Sequence, residues 1–188
     1  MSEQLAGAIR LPDGTPLRGR GRREPLPAGP LPGYGLYLGR PAGRARRSAG
    51  RKPAWRPDWP SDWVDWPDFR TPRDDRAAAA LIEHAYQLAG SGERVEVACV
   101  GGTGRTGTVI ACLAVLAGHP AADAVGWTRR TYRPRAVETR GQRRWVDWFA
   151  TEYLARPNGD EDMAELSDGR VSRRPGSPHP ELPEGGAG

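Results

Sequence analysis

The chain is organised around one stretch, Val95-Glu96-Val97-Ala98-Cys99-Val100-Gly101-Gly102-Thr103-Gly104-Arg105-Thr106-Gly107-Thr108. Apolar residues lead into a cysteine, a glycine-rich turn follows, and a helical pattern then runs from Thr106 to Ala117. The stretch therefore predicts a strand, a loop and a helix in succession. A glycine-rich loop at a helix N-terminus turns its backbone N–H groups inward, and the helix dipole adds to their attraction for an anion. We expect an anion-binding loop with the Cys99 thiol at its entrance and the Arg105 guanidinium at its exit.

The patterns on either side of this stretch predict an α/β domain, in which a short, mostly parallel central sheet is flanked by helices. Two short strands are predicted at residues 34–39 and 62–66. Helices are predicted at residues 77–89, 121–132 and 139–154 from their apolar periodicity. Thr71 is a candidate N-cap for the first of these helices, since Pro72 suits a first helical position and Gly90 suits a stop.

Composition divides the 188 residues into three segments. Residues 1–30 form a basic arm rich in Gly and Pro, residues 31–155 form the folded domain, and residues 156–188 form a disordered acidic tail. The net charge of +5 comes from arginine near the N-terminus, including a basic cluster between Arg44 and Lys52. Such clusters hold nucleic acid by phosphate contacts, but aromatic residues for base stacking are missing here, so we expect a solvated loop.

Several classes of protein are disfavoured by the sequence. It contains no apolar run long enough to span a membrane and no hydrophobic N-terminal signal, so we expect a cytoplasmic protein. The two cysteines, Cys99 and Cys112, favour neither a disulfide scaffold nor a cysteine-rich metal site, and Cys112 falls within an apolar helix. We expect a monomer without a metal or other cofactor.

Three interpretations of the glycine-rich turn compete. Residues 102–107 fit a dinucleotide-binding fingerprint, but that motif needs a second strand and an acidic residue further along, whereas here two helices follow. The ATP-binding loop needs a lysine before its Ser or Thr, and Arg105 is out of register for that role. The third interpretation is a Cys-x5-Arg loop that combines a nucleophile with a phosphate ligand.

The Cys-x5-Arg interpretation leads to a family resemblance that rests on three segments. Cys99 to Gly107 resembles the signature loop of the protein tyrosine phosphatase superfamily, and Trp66-Pro67-Asp68 resembles its general-acid loop. Residues 133–142 are similar to the Arg-Pro...Glu-Thr...Gln segment of the small, dual-specificity-like bacterial members. The resemblance implies a phosphatase acting on phosphotyrosine, and also on phosphoserine or phosphothreonine, in a protein or a small phosphomonoester.

The chemistry assigns roles to these residues. Cys99 is the expected nucleophile, because a nest of N–H groups, a helix N-terminus and a guanidinium should bring its pKa below about 8.5. Arg105 has the planar fork that binds two phosphoryl oxygens, and Thr106 is expected to donate its hydroxyl to the sulfur. The cradle that surrounds the phosphoryl group consists of Val100, Gly101, Gly102, Thr103, Gly104 and Arg105.

The leaving group and the attacking water need further residues. Asp68 is the candidate general acid, and Asp65 is a rival three residues away. The resemblance implies that Gln142 positions the water and that Glu138 assists. Thr139 to Gln142 also fits a helix capping box, so both roles of Gln142 stay open.

Two other classes of function also stay open. Ala98 stands where the family usually has a histidine, and this departure favours a pseudophosphatase that binds a phosphorylated partner with weak or no turnover. Nucleic-acid binding through the basic arm is the other alternative, and salt-dependent binding that disappears on deletion of residues 1–54 would support it.

Overall fold

The computed structural model describes residues 3–40 and 55–155. In this part of the chain a five-stranded sheet has the order β1-β2-β5-β3-β4. The strands are β1 (Ile9–Arg10), β2 (Pro16–Gly21), β3 (Tyr34–Leu38), β4 (Ser61–Val64) and β5 (Val95–Cys99). Only the β1–β2 pair is antiparallel among these strands, since β5 pairs in parallel with β2 and β3, and β3 with β4.

Helices make up the other regular secondary structure of the described residues. They are α1 (Asp75–Gly90), α2 (Gly104–Leu116), α3 (Ala121–Thr131) and α4 (Arg140–Trp148), and α4 continues into a π-helical turn, Phe149–Tyr153. The predicted fold class, an α/β domain with a short and mostly parallel sheet, is confirmed. The predicted disordered tail and the cluster from Arg44 to Lys52 lie outside the described residues.

The N-cap predicted for α1 is wrong. The helix begins after Asp74, whose carboxylate accepts the Ala77 N–H at 2.9 Å, and not after Thr71. The chain before Asp74 is held against the preceding loop, because the Arg73 N–H donates to the Asp65 carbonyl at 3.0 Å. A carboxylate cap also suits the positive end of the helix dipole.

Part of the segment predicted as a basic arm, residues 1–30, is instead an inner strand of the sheet, β2. Its arginines, Arg18 and Arg20, are buried and form ion pairs with Glu96 of β5, at 2.7 Å and 2.9 Å. Its glycines are needed for packing, since a Cβ at Gly19 would lie 2.7 Å from the Ile110 side chain. Glycine and arginine are typical of loops, but in β2 the glycine leaves room for the Ile110 side chain and the arginines pair with Glu96. The boundaries of the three predicted segments stay predictions.

The two faces of the sheet differ in chemistry. One face carries Leu36, Val97 and Cys99, which belong to the apolar core formed with the helices. The opposite face carries the ion pairs of Glu96, which also accepts a hydrogen bond from the Tyr37 hydroxyl at 3.1 Å. Burial of this carboxylate is tolerated because its oxygens are satisfied by charged and neutral donors.

The parallel arrangement places the carboxyl ends of β2, β3, β4 and β5 at one edge of the sheet. In open α/β sheets this edge is where ligands bind. Gly21 pairs with Cys99 in register, so the end of β2 lies beside the nucleophile candidate. Among the residues that the structure describes, no helix is long and apolar enough to cross a membrane.

Candidate active site

The Cys99 thiol lies at the end of β5, at the start of the glycine-rich loop. Cys99 is only 2% exposed, and its Sγ accepts the Gly102 N–H at 3.1 Å. The Thr106 Oγ1 accepts the backbone N–H of Cys99 at 2.9 Å. That bond fixes the Thr106 oxygen beside the cysteine and leaves the hydroxyl proton available for another acceptor.

The glycine-rich loop runs directly into α2, which begins at Gly104. Its N-cap residue, Thr103, makes no side-chain capping hydrogen bond. The N–H groups in the first turn of a helix have no partner within the helix, so an uncapped first turn has a strong tendency to bind an anion. The start of α2 therefore has the uncapped N–H groups that an anion-binding site needs.

Two side chains hold the outer carbonyls of the loop. The Tyr132 hydroxyl donates to the Gly102 carbonyl at 2.6 Å, and Arg133 Nη1 donates to the Gly101 carbonyl at 3.2 Å. Burial raises the pKa of the Tyr132 hydroxyl well above its usual value, so it stays a neutral donor. Because these carbonyls are bonded outside the loop, the neighbouring N–H groups are free to point inward.

Arg105 connects the loop to the segment after β4. Its Nη1 donates to the Trp66 carbonyl at 2.9 Å, and its Nη2 lies 2.9 Å from Asp68 Oδ1. The arginine side chain is 6% exposed, whereas the Asp68 side chain is 61% exposed. The Nε of Arg105 has no hydrogen-bond partner. One guanidinium thus contacts the candidate acid and keeps a donor available.

The segment that carries Asp68 is anchored by Trp66. This ring is fully buried, lies 5.1 Å from the Trp145 ring of α4, and donates its Nε1–H to the Arg70 carbonyl at 2.6 Å. The rival acid, Asp65, instead pairs with Arg73 at 3.4 Å. Of the two carboxylates, only Asp68 has a direct contact with Arg105.

Gln142 lies in the first turn of α4 and is completely buried. Its Oε1 accepts the N–H groups of Glu138 and Thr139 at 2.8 Å and 3.2 Å, while the Thr139 hydroxyl accepts the Gln142 N–H. The predicted capping box is therefore present. Its Nε2 has no partner and would lie 3.1 Å from a Cβ at Gly104, so this amide donor faces the start of α2.

Glu138 lies beside Gln142, over the same glycine. Its carboxylate occupies the space that a Cβ at Gly104 would take, so the carboxylate borders the first residue of α2. The segment before Glu138 has a left-handed residue, Val137, with φ of 59°. Arg129 holds that segment by donating to the carbonyls of Ala136 and Val137 at 2.9 Å and 3.0 Å. A β-branched residue in this region is strained, and such strain is found at functional sites.

The predicted site residues lie at the carboxyl edge of the sheet, at the start of α2, or, for Glu138 and Gln142, at the start of α4 facing Gly104. The sequence analysis missed Tyr132, Arg129 and Arg22. Tyr132 holds the glycine-rich loop, Arg129 holds the segment before Glu138, and the backbone N–H of Arg22 donates to the Cys99 carbonyl at 2.8 Å. Arg22 was not identified because β2, the strand before it, was assigned to the basic arm. Among residues 3–40 and 55–155, no group of three or more His, Cys, Asp and Glu side chains could hold a metal ion.

The α/β fold thus brings the Cys99 thiol, the Arg105 guanidinium and the Asp68 carboxylate to the glycine-rich loop and the segment that contacts it. The family model described as PTP-SAK, Swiss Army Knife protein, DSP-PTPase phosphatase domain, matches residues 65–146. Over these residues the chain is therefore similar to dual-specificity-type phosphatase domains.

Solved structures share this fold at low sequence identity. The catalytic domain of human protein tyrosine phosphatase non-receptor type 18 is 21% identical, with a TM-score of 0.54, and the match covers 78% of this chain and 72% of that chain. A mutant form of Tk-PTP is 20% identical, with a TM-score of 0.50, and the match covers 65% of this chain and 79% of that chain. No curated protein matches this chain.

Proposed function

We propose that the protein hydrolyses phosphotyrosine, and also phosphoserine or phosphothreonine, through a cysteinyl-phosphate intermediate and without a metal ion. The observation that carries this proposal is the Arg105 guanidinium, which contacts the Asp68 carboxylate at 2.9 Å at the exit of the loop that begins at Cys99. A nucleophile, a phosphate ligand and a proton donor then converge on one anion cradle.

In the first step the Cys99 sulfur attacks phosphorus and the bond from phosphorus to the leaving oxygen breaks. Asp68 gives its proton to that oxygen, which leaves as the alcohol or phenol. The inward N–H groups and Arg105 bind the equatorial oxygens as charge spreads over them. Thr106 donates its hydroxyl to sulfur.

In the second step a water attacks phosphorus and the sulfur–phosphorus bond breaks. Asp68, now a carboxylate, takes a proton from this water, and Cys99 returns to the thiolate as orthophosphate leaves. The Nε2 donor of Gln142, which has no partner in the structure, orients the water over Gly104. Glu138 assists from the same side.

The test is hydrolysis of a small aryl phosphate in the presence of EDTA between pH 5 and pH 8. The wild-type full chain should release phenol and phosphate, and Cys99→Ser should not. Equal rates for the two proteins would contradict the proposal. Parallel assays with phosphotyrosine, phosphoserine and phosphothreonine peptides define the specificity.

A second candidate function is recognition of a phosphorylated partner with little turnover, and Ala98 favours it. This side chain is buried between Arg20 of β2 and Tyr37 of β3, and it brings no titratable group to the position before Cys99. Tight binding of a phosphopeptide by the wild-type protein without a burst of product would support this alternative.

A further inference from the structure

Arg22 brings a second guanidinium to the edge of the sheet that carries the phosphate cradle. The residue directly follows β2, and its backbone N–H donates to the Cys99 carbonyl at 2.8 Å. A Cβ built on Gly39, just after β3, would lie 3.4 Å from Arg22 Nη2 and 3.5 Å from Arg105 Nη1. The two nitrogens are therefore no more than about 7 Å apart.

The surroundings of Arg22 hold its guanidinium in place without neutralising it. Its Cζ lies 4.8 Å from the centre of the Trp63 ring, over the face of the indole. Its buried Nε has no hydrogen-bond partner, and within the described residues no carboxylate forms an ion pair with it. Arg20, by contrast, is paired with Glu96. Arg22 thus keeps donors for a ligand.

The charges around Arg22 also favour an anion. Burial lowers the pKa of Arg22, and the charge of Arg105 lowers it further. Two cations held close together repel each other, and an anion between or beside them relieves that repulsion. The group nonetheless stays protonated at neutral pH, as arginines in proteins do.

Arg22 also lines a cavity that could hold part of a ligand. A cavity of about 270 Å³ is lined by Arg22 together with Leu26, Leu31, Trp55, Arg56 and Trp59. The cavity also borders the carboxylates of Glu24 and Asp58. Its lining combines apolar and aromatic surface with a few charged groups, as small-ligand sites do.

From this geometry we infer that Arg22 forms a second anion subsite, which selects substrates that carry a phosphate or carboxylate close to the phosphomonoester bound at Cys99 and Arg105. The inference rests on the proposed function for the position of the reacting phosphate. The shared chemistry is a pair of anions on one molecule. A small bisphosphate and a phosphotyrosine followed by an acidic residue both supply such a pair.

The subsite is tested by binding to the full-length Cys99→Ser protein, which needs no turnover. Propane-1,3-diol bisphosphate is compared with propyl phosphate, which lacks only the second phosphate. The bisphosphate should bind about tenfold more tightly, as expected for one added charge-assisted contact. Arg22→Gln should remove most of this tenfold difference in affinity. Arg23→Gln, which makes the same charge change at the neighbouring position, should leave the difference unchanged.

Two phosphotyrosine peptides, with Glu or Gln next to the phosphotyrosine, identify the source of the second anion. If Arg22→Gln weakens only the preference for the bisphosphate over propyl phosphate, the natural ligand is a small molecule. If it weakens only the preference for the Glu peptide over the Gln peptide, the natural ligand is a protein substrate. Either result supports the subsite. The subsite would be overturned if Arg22→Gln and Arg23→Gln showed the same affinity ratio for the bisphosphate over propyl phosphate and the same ratio for the Glu peptide over the Gln peptide.

A second measurement needs no substitution at position 22. In the Cys99→Ser protein, the Arg22 Nε–H signal in NMR spectra should shift on addition of the bisphosphate far more than on addition of propyl phosphate. The same shift with both ligands would contradict a separate subsite.

The subsite and the proposed function can fail independently. If the wild-type protein hydrolyses no phosphomonoester while the affinity ratios depend on Arg22, the proposed function fails and the subsite stands. If the protein is active and the ratios do not depend on Arg22, the subsite fails and the proposed function stands.

Discussion

The Arg105 Nη2 atom lies 2.9 Å from Asp68 Oδ1, so the candidate phosphate ligand and the candidate proton donor are in direct contact. The same guanidinium donates to the Trp66 carbonyl, which joins the segment after β4 to the start of α2. Asp68 is largely exposed and Trp66 is buried, so the segment is anchored at one end and accessible at the other. This geometry suits a loop that covers a bound substrate.

Replacement of Asp68 by Asn should lower kcat by a factor of about 10² to 10⁴, the usual range for loss of a general acid. The loss should be larger for alkyl phosphates than for aryl phosphates with good leaving groups, because a poor leaving group depends more on the proton. Asp65→Asn is the matched control, since Asp65 pairs with Arg73 away from Arg105. Equal losses in the two variants would rule out the assignment of Asp68.

Gln142 should affect both stability and turnover, and Thr139 should affect stability alone. Each is half of the capping box, so Thr139→Ala and Gln142→Ala should each lower the free energy of unfolding by about 1 kcal/mol. Only Gln142→Ala removes the Nε2 donor that faces Gly104, so only this variant should slow phosphoenzyme hydrolysis. Urea unfolding and burst kinetics separate the two effects. A slower second step in both variants would show that the cap alone is responsible.

Two adjacent glycines should differ sharply in their tolerance of alanine. Gly102 has φ of 69°, and a Cβ there would clash with the backbone of Arg20 and Gly21. Gly102→Ala should therefore destabilise the protein by about 2 kcal/mol or more and abolish hydrolysis. A Cβ at Gly101 meets nothing within 4 Å, so Gly101→Ala should fold normally. Thermal unfolding of both variants checks this, and similar melting temperatures would contradict the backbone geometry.

Glu24 should make stability depend on pH in the acid range. Partial burial acts to raise its pKa, but hydrogen bonds from Arg133 and from the Gly21 N–H outweigh this and hold the pKa below its ordinary value. The stabilisation is therefore complete above about pH 4.5 and is lost as the pH falls through the lower folded-state pKa.

Accordingly, Glu24→Gln should lower the free energy of unfolding by less than about 1 kcal/mol at pH 7, because the pair is partly exposed. At pH 3 the difference from wild type should become smaller. Urea unfolding at the two pH values gives the comparison, with the exposed Glu152→Gln as control. A difference that grows on acidification would contradict the sign of the pKa shift.

The sequence predicted the central strand, loop and helix closely because apolar pattern, glycine turn and helix signals agree there. Strand β5 ends at Cys99 and α2 begins at Gly104, within a few residues of the prediction. The capping box at Thr139 was equally readable, because its two partners are three residues apart. Local signals of this kind need no knowledge of the tertiary structure.

Strand β2 was missed because the contacts that stabilise it are made by residues far away in the sequence. Gly19 is fixed by contact with Ile110 and Tyr132, and Arg18 is neutralised by Glu96, which is far away in sequence. No local pattern shows these partners, and glycine and arginine alone indicate a loop. The position of Arg22 beside the cradle depends on that strand, so this residue could not be identified from the sequence either.

The proposed mechanism is tested most directly by trapping the phosphoenzyme. Wild-type protein and the Gln142→Ala variant are mixed with an aryl phosphate, quenched in acid within the first turnover, digested and analysed by mass spectrometry. We expect one phosphoryl group on the peptide that contains Cys99, more of it in Gln142→Ala than in wild type, and none in Cys99→Ser. Phosphate release in the wild-type protein with no phosphoryl group on Cys99, or with one on another residue, would contradict the cysteinyl-phosphate mechanism.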